Sequence, residues 1–216
     1  LTTAAIVSDI SVELIAELKD GAYAPIHIGT SSVREYQTDA AAHILGRVTK
    51  IPSGKWEEYK EKGYKYGDRV GRDGVELAFE DYLRGRNGRR IVETNAAGKV
   101  TGEIYSVEPE PGDTVALTLD IDFQEDVERI LAETVEDMTA DDGIARGAAA
   151  AAVQVGTGEV LALASYPTFS LKTYNEDYQE NYENPLEPFY NRATQGTYAP
   201  GSTFKPVTAV AALETG

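Results

Sequence analysis

A serine and a lysine three residues apart, Ser202 and Lys205, are the side chains best suited to chemistry in this chain. A serine hydroxyl is a weak nucleophile at neutral pH and needs a base within hydrogen-bonding reach. Residues three apart on a helix share a face, so the amine can reach the hydroxyl, and burial or nearby positive charge makes a lysine a usable base. The pair is suited to nucleophilic catalysis. The bare S-x-x-K spacing by itself favours a helix cap followed by a solvated lysine, and the surrounding sequence changes that interpretation.

The neighbouring residues predict how this pair is displayed. Pro200 and Gly201 turn the chain sharply into an alanine-rich helix expected over 202–214. The N-terminus of a helix favours developing negative charge, and its exposed N–H groups can help to bind an oxyanion. Pro206 is tolerated because its missing N–H falls in or near the first turn. The serine is therefore expected at the edge of a cleft.

Composition excludes several other classes of function. The 216 residues carry a net charge of −16, which argues against a nucleic-acid partner because such a partner needs a basic face. Without cysteine there is no disulfide and no thiolate metal site, and the only histidines, His27 and His43, argue against a zinc site or a Ser-His-Asp triad. Phosphate-loop and dinucleotide-binding motifs are absent from the sequence. We expect no cofactor and no metal.

The first half of the chain shows short elements separated by turn residues. Apolar spacing predicts a helix over 8–19, and alternation over 23–36 predicts short strands. Further expected elements are a short helix or turn leading into a strand (38–48), a polar aromatic loop that can include one helical turn (53–68), a glycine-bracketed helix (71–88), and a strand, turn, strand, loop and strand series (89–118). The two prolines and the glycine within 108–113 interrupt the pattern and predict a domain boundary there, with domains over 1–112 and 113–216.

The second half begins with the strongest helical signal. Residues 122–138 carry one continuous apolar face, and Asp122 with Glu125 resembles a capping pair. Two apolar strands, 147–155 and 159–165, flank a glycine-rich turn and predict an antiparallel hairpin that is buried on both faces. The stretch from 166 to 198 has no period and is interpreted as a long loop, either solvated or functional.

Six segments resemble one family in the same order along the chain. The stretch "YAPGSTFKPVTAVAALETG" is similar to the active-site serine segment of penicillin-binding proteins, with its S-x-x-K motif. The matching segments upstream are "AAHILGRV", "GRDGVELAFEDYLRGRNG", "DTVALTLDIDFQEDVERIL", "GAAAAAVQVGTGEVLALASYPTF" and "NRA" at 191–193. On these motifs the chain is identified as a member of the class B penicillin-binding proteins.

The resemblance implies an α+β fold in two parts. Residues 1–112 would form a pedestal or dimerisation domain of mixed short strands and helices. Residues 113–216 would form an incomplete serine β-lactamase/transpeptidase-like domain with an antiparallel hairpin and helices.

The resemblance also implies a function, which is peptidoglycan cross-linking by D,D-transpeptidation. Ser202 would attack the D-Ala-D-Ala bond of a stem peptide, Lys205 would assist proton transfer, and β-lactams would mimic the donor. Cell-wall synthesis proteins are the expected partners of the pedestal. The expected location is the extracytoplasmic face of the bacterial cytoplasmic membrane. No apolar run approaches the ~18 residues of a membrane span, so an anchor helix is expected outside this sequence.

The sequence departs from the family pattern after Lys205. The family's Ser-x-Asn and Lys-Thr-Gly motifs follow the serine, but neither occurs here, and "KTY" at 172–174 precedes it. We therefore expect the chain alone to be inactive, with unpaired sheet edges and possible self-association. Two alternatives stay open: a non-catalytic docking module of the cell-wall machinery, and a β-lactam sensor or β-lactamase relative, against which the pedestal-like stretch over 10–112 argues.

Overall fold

The computed structural model describes residues 10–20, 34–65, 67–96 and 100–215, together with Val7, Ile26 and Ile28. Most of the strands predicted over 23–36, and His27, lie outside the described residues. Contacts divide the chain into two compact units, one of residues 1–34 and 85–111 and the other of residues 35–84 and 112–216. The domain boundary predicted after residue 112 stays a prediction.

The helices and strands of the described residues follow in chain order, with two 3₁₀ turns at Ser53–Lys55 and Gly201–Phe204. They are α1 (Val12–Asp20), α2 (Ala42–Leu45), β1 (Val48–Lys50), α3 (Trp56–Glu61), β2 (Arg69–Gly71), α4 (Gly74–Ala78), α5 (Glu80–Leu83), β3 (Arg89–Thr94), β4 (Val100–Val107), α6 (Ile121–Asp142), β5 (Ala148–Val153), β6 (Val160–Tyr166), α7 (Tyr178–Glu183), α8 (Arg192–Gln195) and α9 (Lys205–Thr215). None of these helices combines the length and apolar composition that crossing a membrane requires.

The first unit contains α1 and an antiparallel hairpin. Strands β3 and β4 pair with Ile91 opposite Ile104, which confirms the predicted strand, turn and strand. The backbone of Arg86 exchanges hydrogen bonds of 2.8 and 3.0 Å with that of Glu110. This bridge continues the pairing beyond the hairpin.

The helix predicted over 71–88 is broken in the second unit. Gly71 belongs to β2 and lies opposite Val48 of β1, so the helix cannot start before Gly74. Phe79 separates α4 from α5, and Arg84 leaves the helix in an extended conformation. Its guanidinium donates to the carbonyl oxygens of residues 62 and 63, at 3.0 and 3.1 Å. Backbone pairing at one end and this contact at the other therefore override the local helical pattern.

Helix α6 confirms the predicted long helix, but the predicted capping pair is wrong. The cap is Asp120, whose Oδ1 accepts the Phe123 N–H at 3.1 Å. Asp122 lies inside the first turn, and the Glu125 carboxylate instead accepts the hydroxyl of Thr38 at 2.9 Å. An acidic residue two positions earlier therefore satisfies the free N–H at the helix start.

The predicted apolar hairpin is confirmed by β5 and β6, but its burial is uneven. Ala162 and Ala164 of β6 have no exposed surface, whereas alternate residues of β5 are exposed. The expectation that both faces are buried along the whole hairpin is therefore wrong for β5. One face of that strand meets solvent within the described part of the chain.

The free edge of β6 is covered by the start of α6 rather than by a third strand. The Gln124 side chain is fully buried, and its amide exchanges two hydrogen bonds of 2.7 Å with the Leu163 backbone. The Thr118 hydroxyl donates to the Val160 carbonyl at 2.7 Å, and the Asp120 N–H donates to the Leu161 carbonyl at 3.1 Å. The strand predicted to end at Thr118 is therefore irregular, and the expected unpaired edge of β6 is capped.

The long stretch after β6 contributes to a core rather than lying wholly in solvent. It contains α7, α8 and the buried residues Phe169 and Leu171, which cluster with Ala42. Partly buried residues packed on this cluster are Tyr36, Leu45, Tyr174 and Phe189. The His43 ring meets Phe169 edge-on at 5.0 Å, and its Nε2 lies 2.7 Å from the Pro188 carbonyl oxygen. The solvated interpretation is therefore wrong for this part of the stretch.

Candidate active site

Ser202 lies in the 3₁₀ turn that leads directly into α9. Gly201 has φ +53°, a conformation that glycine adopts without the penalty of a Cβ, and Pro200 precedes it with φ −67°. The Thr203 N–H donates to the Pro200 carbonyl at 3.2 Å and closes the turn. This geometry confirms the predicted sharp entry into the helix. It makes Ser202 an exposed residue at the helix start.

Lys205 is the first residue of α9, one turn after Ser202. Its backbone N–H donates to the Ser202 carbonyl, so the two residues are joined through the main chain. Within residues 100–215, neither side chain has a hydrogen bond or an ion pair, and both are exposed. The structure therefore brings the pair to adjacent turns without a side-chain contact. Catalytic hydrogen bonds often tighten only when the substrate is bound.

The apolar residues of α9 and the turn before it are exposed. The exposed fractions of the Phe204, Val207 and Val210 side chains lie between 52% and 59%, and that of Leu213 is 85%. A helix whose described residues are all exposed cannot desolvate a lysine amine on its own. Burial of Lys205 would therefore need atoms other than the described ones.

A second polar cluster lines a cavity of about 530 Å³ in the same unit. Its carboxylates are all engaged: Asp39 binds the Lys172 Nζ at 2.9 Å, and Glu128 accepts the Ala41 N–H at 2.9 Å. The lining residues are Gln37, Thr38, Asp39, Ala40, Glu125, Glu128, Arg129, Thr168 and Lys172. None of them belongs to the S-x-x-K segment. The cavity therefore marks where residues 37–41 meet α6, and we assign it no chemistry.

Electrostatics in this cluster reflect its hydrogen bonds and burial. Hydrogen bonds from Lys172 and Ser170 lower the pKa of the Asp39 carboxyl. Burial raises the pKa of Glu128, against the opposing effect of the Gln124 and Ala41 hydrogen bonds. Burial also lowers the pKa of His43. The described residues contain no group of three or more His, Cys, Asp or Glu placed to hold a metal ion.

The "KTY" segment, which precedes the serine, has a structural use. Lys172 pairs with Asp39, 133 residues away, and Tyr174 lies under the Arg47 guanidinium at 4.2 Å. The Arg47 Nε in turn donates to Asp73 at 2.8 Å. These contacts were missed in the sequence because they join residues far apart along the chain. No local pattern marks them.

Models of two protein families match the chain, one in each half. The Penicillin-binding Protein dimerisation domain matches residues 2–117, and the Penicillin binding protein transpeptidase domain matches residues 148–216. The chain belongs to the penicillin-binding proteins, and a dimerisation domain followed by a transpeptidase domain fits the class B type. The resemblance in the sequence is thereby confirmed.

Individual relatives agree with this assignment. The Peptidoglycan D,D-transpeptidase MrdA of Escherichia coli (strain K12) is 34% identical over 186 residues, which cover 82% of this chain and 28% of MrdA. A chain of the structure described as "Structural coordination of polymerization and crosslinking by a peptidoglycan synthase complex" matches with a TM-score of 0.69 and 34% identity, over 84% of this chain and 33% of that chain. PBP2 of Helicobacter pylori, solved in complex with MreC, has the same fold, with a TM-score of 0.61 and 24% identity, over 82% of this chain and 31% of that one. The chain spans about 28% of the length of the first relative.

Proposed function

We propose that the full-length protein is a serine D,D-transpeptidase that cross-links peptidoglycan, with Ser202 as the nucleophile. The observation that carries the proposal is the position of Ser202, which lies within the transpeptidase-domain match and at the exposed start of a helix. Similarity to the D,D-transpeptidase MrdA supports the class of reaction. We further propose that residues 1–112 act as the dimerisation domain and residues 113–216 as part of the transpeptidase domain.

The proposed reaction has two halves that share an acyl-enzyme. The Ser202 Oγ attacks the carbonyl carbon between the two D-alanines, and Lys205 takes the hydroxyl proton. The C–N bond breaks, the leaving D-alanine takes a proton, and an ester to Ser202 remains. The amine of a second stem peptide then attacks the ester, so that a new C–N bond forms and the serine hydroxyl is restored. A β-lactam would enter the first half and stay attached as an acyl-serine.

We infer that the 216 residues alone do not complete this cycle. The sequence lacks Ser-x-Asn and Lys-Thr-Gly motifs, and Ser202 and Lys205 are both exposed. In the family, the strand that carries Lys-Thr-Gly supplies part of the oxyanion hole. Loss of one oxyanion donor typically costs about 3–4 kcal/mol of transition-state stabilisation.

The proposed partners and location follow from the family. Stem peptides and β-lactams are the proposed ligands of the serine. Cell-wall synthesis proteins are the proposed partners of residues 1–112, a role that is supported by the complex of PBP2 with MreC and by the peptidoglycan synthase complex. We place the reaction at the extracytoplasmic face of the bacterial cytoplasmic membrane.

Release of D-alanine from a synthetic pentapeptide stem tests the proposed activity in the full-length protein. Ser202→Ala should abolish release, because the ester cannot form. Ser53→Ala is the matched control, since Ser53 is also exposed, begins a 3₁₀ turn and lies close to a lysine, Lys55. Equal release by the wild type and Ser202→Ala would refute the proposal.

A further inference from the structure

Ser165, near the end of β6, forms a hydrogen-bonded junction with the turn of helix that precedes Ser202. Its side chain is only 5% exposed. The hydroxyl oxygen accepts the Ala193 N–H at 3.1 Å and lies 3.5 Å from the Asn191 Oδ1. The same Oδ1 accepts the Thr194 N–H at 3.1 Å and caps α8. One buried hydroxyl therefore links the hairpin to the first turn of α8.

Arg192 fixes the same turn from its other side. Its side chain is buried, and its guanidinium donates to the carbonyl oxygens of Leu186, Glu187 and Tyr190, at 3.1 Å for Glu187. It also fills the space beside Gly147, where an added Cβ would lie 2.2 Å from the Arg192 Nε. Helix α8 is thus held between β6, the start of β5 and the preceding loop.

The chain from α8 to the nucleophile has little other support. Ser202 follows Gly196 by six positions, and every described residue from Thr197 onwards is exposed. Gly196 itself is closely packed, since a Cβ there would lie 2.4 Å from the Tyr198 ring. Pro200 restricts the remaining freedom because its ring fixes φ. Among the described residues, α8 is therefore the last firmly held point before Ser202.

We propose that Ser165 is a positioning residue for Ser202, acting through Asn191 and the first turn of α8. The inference rests on the proposed function and adds a residue to it. Removal of the hydroxyl leaves the Ala193 N–H without its acceptor in a partly buried place and frees the start of α8. A displacement of about 1 Å at a nucleophile can cost 100-fold in rate. A small shift of α8 that displaces Ser202 would therefore lower the acylation rate. Ser165 touches no substrate in this account.

The test compares acylation of full-length variants by a fluorescent penicillin, with the binding constant and the first-order acylation rate constant determined separately. Ser165→Ala and Asn191→Ala should lower the rate constant at least tenfold and leave the binding constant within twofold. Asn191→Asp should restore the rate, because it keeps the oxygen that caps α8.

Ser170→Ala is the matched control. Its hydroxyl likewise accepts backbone N–H groups, of Lys172 and Thr173, and bonds a side-chain oxygen, that of Asp39, but it lies off the path to Ser202.

Equal rate losses in Ser165→Ala and Ser170→Ala would show a general loss of stability and overturn the proposal. Hydrogen exchange supplies a second readout that needs no acylation. Ser165→Ala should speed amide hydrogen exchange at least tenfold both at 193–196 and at 202–204. Faster exchange at 193–196 alone would overturn the proposal that Ser165 positions Ser202. A wild-type protein that is never acylated would refute the proposed function, and the exchange pattern would still decide the role of Ser165.

Discussion

At the scale of single residues, Lys205 carries the proposed acid–base role. General-base catalysis by a positioned side chain contributes about 10²–10⁴-fold, so Lys205→Ala should lower the acylation rate constant by that factor. Lys205→Arg should not rescue the rate, because arginine keeps the charge but does not give up its proton in proteins. The rate of acylation by benzylpenicillin in the full-length protein is the measurement. Activity of the arginine variant close to wild type would contradict the role.

Glu128 gives a pH prediction. Burial raises its folded-state pKa, so its contribution to stability is complete below the unfolded pKa and is lost as pH rises through the folded pKa. Glu128→Gln removes this loss, so the variant should gain stability relative to wild type as pH rises above the ordinary glutamate pKa of about 4.3. Thermal unfolding as a function of pH measures the difference. Asp39→Asn is the opposing control, because the lowered pKa of Asp39 means that its contribution is lost as pH falls. The prediction would be contradicted if the stability of both variants, relative to wild type, changed with pH in the same direction.

At the scale of elements, the start of α6 distinguishes the observed cap from the one that the sequence predicts. Asp120→Ala should lower the free energy of unfolding by about 1 kcal/mol, because the Phe123 N–H loses its acceptor. Asp122→Ala is the matched control and should cost about 0.5 kcal/mol, since it removes only a favourable charge in the first turn. Denaturant unfolding measures both values. A larger cost for Asp122→Ala would restore the original capping assignment.

The elements that the sequence predicts correctly are those with a strong local signal. The apolar spacing of α6, the glycine turn between β5 and β6, and Pro200 with Gly201 before Ser202 all act over a few residues. The failures come from distant partners. Glycine-bracketed spacing predicts one helix over 71–88, but the pairing of Gly71 with Val48 delays the helix start to Gly74, and Phe79 separates α4 from α5. Likewise, Gln124 caps the edge of β6 by bonding Leu163, 39 residues away, and no local sequence pattern predicts this contact.

At the scale of the whole molecule, exposed apolar surface predicts association of the isolated 216-residue chain. Val207, Val210 and Leu213 are more than half exposed on α9, and such surfaces bind other apolar surfaces. Val210→Glu should shift the chain towards monomer, because burying the new charge in an interface is costly. Thr208→Glu, on the same helix, should have little effect. Sedimentation velocity measures the state, and a purely monomeric wild type would contradict the prediction.

Ser202 is tested as the nucleophile most directly by the intact mass of the full-length protein after incubation with benzylpenicillin, followed by mapping of the adduct. We expect one penicilloyl group on Ser202, none on Ser202→Ala, and none on the isolated 216-residue chain. An adduct that persists in Ser202→Ala or maps to another residue would contradict the assignment of the nucleophile. A stable adduct on the isolated chain would show instead that Lys205 and the helix start activate Ser202 without the missing motifs.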